Sequence, residues 1–153
     1  MIFGKQYSEY LRFQAPVLIA LTVVGLARLV LSLAGLPDSV VKFVSMSVVG
    51  LVGIVYYGLK VRPSGFGSYR QMLVLIFNQG LLVNGIAILG ICLAVAGMPN
   101  IYDVMEFRGP FATAETTPLQ HGLAHLLVGT TVGTLVGWTV GSIVMALFGR
   151  ARR

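Results

Sequence analysis

Two histidines, His121 and His125, are the residues of this chain best suited to chemistry. In a helix their spacing of four places both imidazoles on one face, with Cβ atoms about 6 Å apart. Such a pair can chelate one divalent metal ion, and Glu115 is near enough in sequence to complete the ligand set. Asp103 and Glu106 are more distant carboxylates. The pattern supports a metal site at His121, His125 and Glu115, or two imidazoles that merely hydrogen-bond near a membrane surface.

Arg28 and Asn84 are polar residues inside long apolar runs. A charge near the centre of a bilayer costs about 2.5–3.5 kcal/mol on insertion scales, so such residues usually face a bundle interior or water. One interpretation is a polar cavity, open to the outer side, which Arg28 and Asn84 line together with the two histidines and which accepts an anion or a proton. In the other interpretations, Arg28 pairs with an outer carboxylate such as Asp38, or extends towards the lipid headgroups.

Four glycines continue the spacing of the histidine pair along the last apolar run: Gly129, Gly133, Gly137 and Gly141. They form three overlapping GxxxG units. Helices in lipid gain little hydrophobic energy by associating, so small residues that admit a close neighbour favour contact. The stripe therefore predicts a helix–helix interface. The neighbour is another helix of the same chain, which we favour, or a second copy.

The elements that position these residues follow from composition. Of 153 residues, 56% are hydrophobic and 10% are charged, whereas soluble domains carry about 25% charged residues. A membrane span needs about 20 mostly apolar residues, and four such stretches occur. They cover residues 15–36, 40–61, 71–96 and 120–148, with an outer loop over 97–119. The sequence predicts an all-α integral membrane four-helix bundle that forms a single domain over residues 1–153.

The basic residues flank the apolar runs and fall mostly on one side of the predicted membrane. The richer side holds Lys5, Arg12, Lys60, Arg62, Arg70, Arg150, Arg152 and Arg153. Only Lys42 and Arg108 flank the other side. Because Lys and Arg concentrate on cytoplasmic segments, we expect both termini in the cytoplasm and a location in a cell (inner) membrane. The net charge of +6 is thus an orientation signal, and we expect no nucleic-acid partner.

A weak internal repeat relates two parts of the chain. The segment LSLAGLPDSVVKF begins at residue 31, and CLAVAGMPNIYDVMEF begins at residue 92. Each places Ala-Gly-apolar-Pro-polar at the outer end of a helix. Two helical hairpins of equal orientation would be related by an axis along the membrane normal, as in some transporters. The alternative is that Gly and Pro simply end both helices.

Two classes of function fit these patterns. The sequence contains no Walker loop, no CxxC motif and no nucleophile-elbow motif of a Ser-His-Asp hydrolase. This favours a non-enzymatic bundle that associates through its glycine stripe, as a homo-oligomer or as a subunit of a larger complex, and that binds or transports a small solute. The alternative is a metal-dependent membrane enzyme or redox subunit built on the histidine pair. No cofactor beyond a divalent metal ion is implied.

Overall fold

The structure is a computed structural model that describes residues 1–103, 113 and 116–149. This part of the chain is helical and contains no strands. The α-helices are α1 Tyr7–Leu33, α2 Asp38–Val41, α3 Met46–Lys60, α4 Tyr69–Val95, α5 Pro118–Leu123 and α6 Thr130–Phe148. A π-helical turn, Ala124–Gly129, joins α5 to α6.

Four segments are long and apolar enough to cross a membrane, as the sequence predicted. They are Tyr7–Leu33, Asp38–Lys60, Tyr69–Val95 and Pro118–Phe148. Large apolar side chains also cover their outer surface: Ile19, Val52, Leu127 and Leu147 are each more than 60% exposed. An outer surface of this kind is compatible with a multi-pass membrane protein. We refer to Pro118–Phe148 as the fourth segment.

Local capping determines where the helices begin. The α1 helix starts earlier than residue 15, because Gln6 and Glu9 form a reciprocal capping box, and it continues through Pro16. Ser68 and Gln71 form the same motif at the start of α4. Thr117 and Gln120 form it at α5, where Pro118 occupies the first turn, a position that needs no N–H donor.

The second predicted span, residues 40–61, is divided in the structure. The short α2 ends at Val41, and α3 begins at Met46. The Ser45 hydroxyl accepts a hydrogen bond from the Val48 N–H at 3.4 Å, so Ser45 caps α3. The two helices together still form one apolar segment of 23 residues.

The two copies of the predicted repeat end their helices in the same way. Gly35 and Gly97 have φ values of +83° and +87°, a conformation that favours glycine. In each copy the next residue donates back to the carbonyl five residues earlier, Leu36 to Leu31 and Met98 to Leu93. This is a Schellman termination. The glycine in each copy thus has a local role in ending its helix, and the predicted repeat of two hairpins stays a prediction.

The α4 helix is central, and it packs against α1, α3 and α6. Its buried residues include Met72, Leu75 and Ile76, which meet Tyr57 of α3 and Met145 of α6 in one hydrophobic core. Gln79 adds a polar link, since its amide nitrogen donates to the Gly50 carbonyl of α3 at 3.0 Å. The central helix therefore positions Asn84, which lies further along it, against the fourth segment.

Candidate functional site

The two histidines lie where the fourth segment changes its helical form. His121 belongs to α5, and His125 belongs to the π-helical turn that begins at Ala124. Their rings lie with centroids 4.9 Å apart and planes tilted by 46°. Single π-helical turns inside α-helices occur frequently at functional sites. The turn thus brings two imidazoles into contact at one end of the bundle.

Asn84 of α4 fixes the orientation of the His125 ring. The Asn84 amide nitrogen donates to the Gly80 carbonyl at 2.9 Å and to the Thr130 hydroxyl at 3.2 Å. Its oxygen therefore faces His125, whose Nδ1 lies 3.0 Å away. Since an amide oxygen only accepts, Nδ1 must carry the proton. The Nε2 lone pair of neutral His125 is then the one available to a proton or a metal ion.

Gly129 allows this contact between α4 and the fourth segment. A Cβ atom at this position would lie 2.7 Å from the Asn84 side-chain oxygen. Real Cβ atoms are not found so close to an oxygen, so any side chain here would displace the amide. The Asn84–His125 hydrogen bond therefore requires a residue without a side chain at position 129.

His121 is buried, with 1% of its surface exposed. Its Nδ1 lies 3.9 Å from a carboxylate oxygen of Asp103, a separation suited to attraction when the imidazole is protonated. Glu115, the third predicted metal ligand, lies outside the described residues, as does Glu106. Among the residues described, no group of three or more His, Cys, Asp or Glu side chains is placed to hold a metal ion.

Arg28 lies inside the protein, with 7% of its surface exposed. Its guanidinium carbon lies 5.4 Å from the centre of the Tyr102 ring, a cation–π contact. The Tyr102 hydroxyl donates to the Gly25 carbonyl of α1 at 3.1 Å. Burial raises the pKa of Tyr102, and the Arg28 charge partly opposes that shift. Gly90 of α4 provides space for the ring, because a Cβ there would lie 2.5 Å from it.

The structure therefore places the predicted cavity residues in two neighbouring groups. Arg28 contacts Tyr102, and Asn84 contacts His125. The groups are linked through the chain, since Tyr102 precedes Asp103, which approaches His121. A cavity of about 250 Å³ lies beside Asp103. Its lining residues are Ser32, Gly35, Leu36, Asp38, Pro99, Asn100 and Asp103.

Two residues of this region were not anticipated from the sequence, Tyr102 and Thr130. Thr130 is buried. Its hydroxyl oxygen accepts a hydrogen bond from the Asn84 amide nitrogen, and the same hydroxyl donates to the His125 carbonyl at 3.4 Å. Its helical spacing to Thr134, Gly137 and Gly141, which are all buried in α6, is a signal that could have indicated it. Tyr102 follows a Pro-Asn turn in a loop, and no periodicity indicates its burial.

The predicted glycine stripe has three different environments. Gly129 meets Asn84, as described above. Gly137 and Gly141 lie against α3 and α4, where a Cβ would be 3.0 Å from Ile54 and Ile76 at Gly137 and 3.0 Å from Met72 at Gly141. Gly133 is exposed, and a Cβ there would meet no atom within 4 Å among the described residues.

Comparisons of the chain with protein-family models, with curated proteins and with solved structures found no match.

Proposed function

We propose that this chain is a non-enzymatic integral membrane bundle with both termini in the cytoplasm, and that the end carrying the histidines lies on the outer side. Four apolar segments of membrane length support the membrane location. The orientation is supported by the distribution of Lys and Arg, which is the main determinant of topology for short loops.

Single-cysteine labelling tests the orientation, because Cys92 is the one cysteine of the chain. In a Cys92→Ser background, Ser64→Cys lies in the loop after α3 and Thr113→Cys lies in the outer loop. A membrane-impermeant maleimide should label Thr113→Cys in intact cells and label Ser64→Cys only after permeabilisation. The reverse pattern would overturn the orientation, and recovery of the chain in an alkaline wash would overturn the membrane location.

The function that we propose for the outer end is binding and transfer of a small polar solute, and the proton is the solute that its groups exchange directly. The observation that carries this proposal is the chain of contacts from Thr130 through Asn84 to His125. It leaves one imidazole nitrogen of His125 able to accept a proton. His121 and Asp103 add two titratable groups alongside. Such series of His and Asp residues mark proton relays in membrane proteins.

Proton flux into proteoliposomes, followed with an internal pH dye under an imposed potassium diffusion potential, tests this proposal. We expect flux above that of empty liposomes, and a decrease of about tenfold in His125→Gln, because an amide cannot shuttle a proton. Thr139→Val is the control, since Thr139 is exposed on α6 and its hydroxyl donates to the Leu135 carbonyl of its own helix. Equal flux from protein-containing and empty liposomes would refute proton transfer.

Metal binding is the second candidate, and the Asn84–His125 contact favours it specifically. Metal-ligating histidines almost always donate their second ring N–H to an oxygen acceptor, which fixes the tautomer. Asn84 does this for His125. Elemental analysis of purified wild type beside His121→Ala/His125→Ala decides the matter. A near-stoichiometric divalent metal lost in the double variant supports a metal site, and equal metal content excludes one.

We also propose that the bundle associates with other membrane helices through the fourth segment. Gly133 supports this, because its open surface lies among exposed apolar residues, including Val132 and Val136. Small residues flanked by apolar side chains admit a close helix neighbour in lipid. Gly133→Leu should reduce crosslinking between copies in membranes. Unchanged crosslinking in Gly133→Leu, or no crosslinking in wild type, would refute homo-oligomerisation through this face.

A further inference from the structure

A second cavity, whose lining includes neither histidine, lies where the N-terminal segment meets α4 and α6. Its volume is about 370 Å³, and we call it the N-terminal cavity. The lining residues are Ile2, Tyr7, Leu73, Val74, Phe77, Asn78, Leu81 and Thr134. Most of them are apolar, and Phe77 and Tyr7 are each more than 40% exposed. The cavity is therefore accessible from the surface that we assign to lipid.

Two polar groups in this apolar wall lack partners. The Asn78 amide nitrogen and the Thr134 hydroxyl are buried, and neither has a hydrogen-bond partner among the residues that the structure describes. Both residues are less than 10% exposed. Leaving a buried donor unsatisfied costs about 1–3 kcal/mol, and native proteins usually satisfy such groups. An oxygen acceptor supplied by a ligand in the cavity would satisfy both.

The orientation of the Asn78 amide is fixed independently. The Tyr7 hydroxyl donates to the Asn78 side-chain oxygen at 3.3 Å, so the amide nitrogen is the group left for a ligand. The N-terminal wall is also preformed, because the Tyr10 hydroxyl donates to the Ile2 carbonyl at 2.9 Å. Gln71 donates to the Phe3 carbonyl at 2.8 Å. A mostly apolar cavity with a few oriented polar groups is typical of a small-molecule site.

The charge of the ligand follows from the face of α4 that lines the cavity. Leu73, Val74, Phe77 and Leu81 follow Arg70 at intervals of three, four, seven and eleven, so all lie on one helical face. Arg70 is exposed at the first turn of α4. This face thus presents a cation at the end of the bundle and then apolar side chains. The two unsatisfied donors, Asn78 of α4 and Thr134 of α6, lie among the residues that line the cavity.

We propose that the N-terminal cavity binds one anionic glycerophospholipid. Arg70 attracts the phosphate, the Asn78 amide and the Thr134 hydroxyl donate to an ester carbonyl, and the acyl chain occupies the apolar wall. A glycerophospholipid carries these three groups in the same order along its length. The inference rests on the membrane location in the proposed function, and it is independent of proton or metal chemistry at the other end.

Native mass spectrometry of delipidated, detergent-purified protein tests the proposal by titration with phosphatidylglycerol or phosphatidylcholine of identical acyl chains. Wild type should bind one phosphatidylglycerol about fivefold more tightly than phosphatidylcholine, the effect expected of one cation near a headgroup. Arg70→Gln should abolish this preference. The control Arg12→Gln, which removes an exposed cation of α1 outside the cavity, should retain it.

The second variant tests the Thr134 hydroxyl, because Thr134→Val removes this hydroxyl with little change of side-chain shape. We expect Thr134→Val to weaken binding of both lipids roughly three- to tenfold, as for the loss of one hydrogen bond. Thr139→Val, on the exposed face of α6, should leave binding unchanged. If Thr134→Val unfolds, Arg70→Gln still decides the question, since Arg70 is exposed.

Three outcomes would overturn the proposal. Equal affinity of wild type for the two lipids would refute selection of an anionic headgroup. Equal lipid affinities of Thr134→Val and Thr139→Val would refute the hydrogen bond from Thr134 to the ester carbonyl. Competition by an alkyl-substituted benzoquinone that is insensitive to Arg70→Gln would assign the cavity to a quinone instead. Alkaline extraction of membranes, performed in parallel, separates any of these results from a failure of the membrane location itself.

Discussion

The fourth segment has two halves, which we name after the orientation proposed above: the outer half, Pro118–Gly129, and the inner half, Thr130–Phe148. They use the same glycine spacing for different contacts. In the outer half, Gly129 admits the Asn84 amide, which then holds His125. In the inner half, Gly137 and Gly141 admit apolar side chains of α3 and α4. A GxxxG stripe therefore specifies that a neighbour approaches closely, but it does not specify which side chain approaches. A polar neighbour builds a site, whereas an apolar neighbour builds a core.

The inner half should be the more sensitive to added volume. A Cβ at Gly58 of α3 would lie 2.8 Å from both the Gly141 carbonyl oxygen and the Val144 Cβ. A backbone atom cannot move aside as a flexible side chain does, so Gly58→Ala must separate α3 from α6. We expect a loss of about 2–3 kcal/mol in the free energy of unfolding, the upper part of the range of about 1–3 kcal/mol found for overpacked cores.

Circular dichroism during denaturation in detergent measures this loss. Gly85→Ala is the matched control, because Gly85 is exposed within α4, a Cβ there meets no described atom within 4 Å, and alanine favours helix over glycine by about 0.8–1 kcal/mol. Its stability should be unchanged or slightly higher. Equal losses in the two variants would show that the α3–α6 contact is looser than the structure describes.

Added volume in the outer half should change the free energy of unfolding less and the protonation of the His125 ring nitrogens more. Gly129→Ala displaces the Asn84 oxygen, so the Asn84–His125 hydrogen bond breaks while the helices keep their packing. We expect a loss of about 1–2 kcal/mol in the free energy of unfolding. The His125 tautomer should also lose its preference for a proton on Nδ1.

Nitrogen-15 NMR of labelled histidines reports the tautomer directly. Gly122→Ala is the control in the same half of the segment, since a Cβ at Gly122 meets no described atom within 4 Å. Identical His125 nitrogen shifts in wild type and Gly129→Ala would contradict the role assigned to Asn84, whatever the change in stability.

The sequence predicted the outline of the fold well because long apolar runs have one stable solution in lipid, a helix that satisfies its own backbone. The bounds of the predicted spans do not give the helix ends. The earlier start of α1 depends on the Gln6–Glu9 capping box, and the break before α3 depends on Ser45. Single polar side chains decide such boundaries, and a hydropathy window averages over them.

The candidate site was predictable only in part. The histidine spacing and the polar residues Arg28 and Asn84 stand out from an apolar background, and Asn84 contacts His125 in the structure. Their partners do not stand out. The contact of Tyr102 with Arg28 depends on the path of a loop, and the contact of Thr130 with Asn84 depends on how the helices are rotated. The periodicity of a single sequence predicts neither. The π-helical turn at His125 likewise depends on tertiary contact, because Ala124–Gly129 reads as ordinary apolar helix.

Trp138 provides a smaller test of the contact between α4 and the inner half. Its indole N–H donates to the Tyr69 carbonyl at 2.8 Å, and it is the one tryptophan of the chain, so its fluorescence reports this contact. We expect Trp138→Phe to lower the free energy of unfolding by about 1 kcal/mol, measured by circular dichroism because this variant has no tryptophan. Thr139→Val, on the exposed side of the same turn, should change it by less than about 0.5 kcal/mol.

The smallest effect is a pH dependence at the outer end. An unfolded tyrosine loses its proton near pH 10, whereas burial raises the pKa of Tyr102 in the folded chain, against the opposing Arg28 charge. Above about pH 10 the unfolded state therefore binds fewer protons than the folded state, so the contribution of Tyr102 to stability falls as pH rises, by at most about 1.4 kcal/mol per pH unit.

Tyr102→Phe removes this dependence together with the hydrogen bond to Gly25. The variant should be less stable than wild type by about 1 kcal/mol near pH 8, and the difference should narrow above about pH 10. Unfolding free energies measured across that range decide the point: a constant difference would mean that Tyr102 ionises as readily in the folded chain as in the unfolded one, and that water reaches the outer end of the bundle.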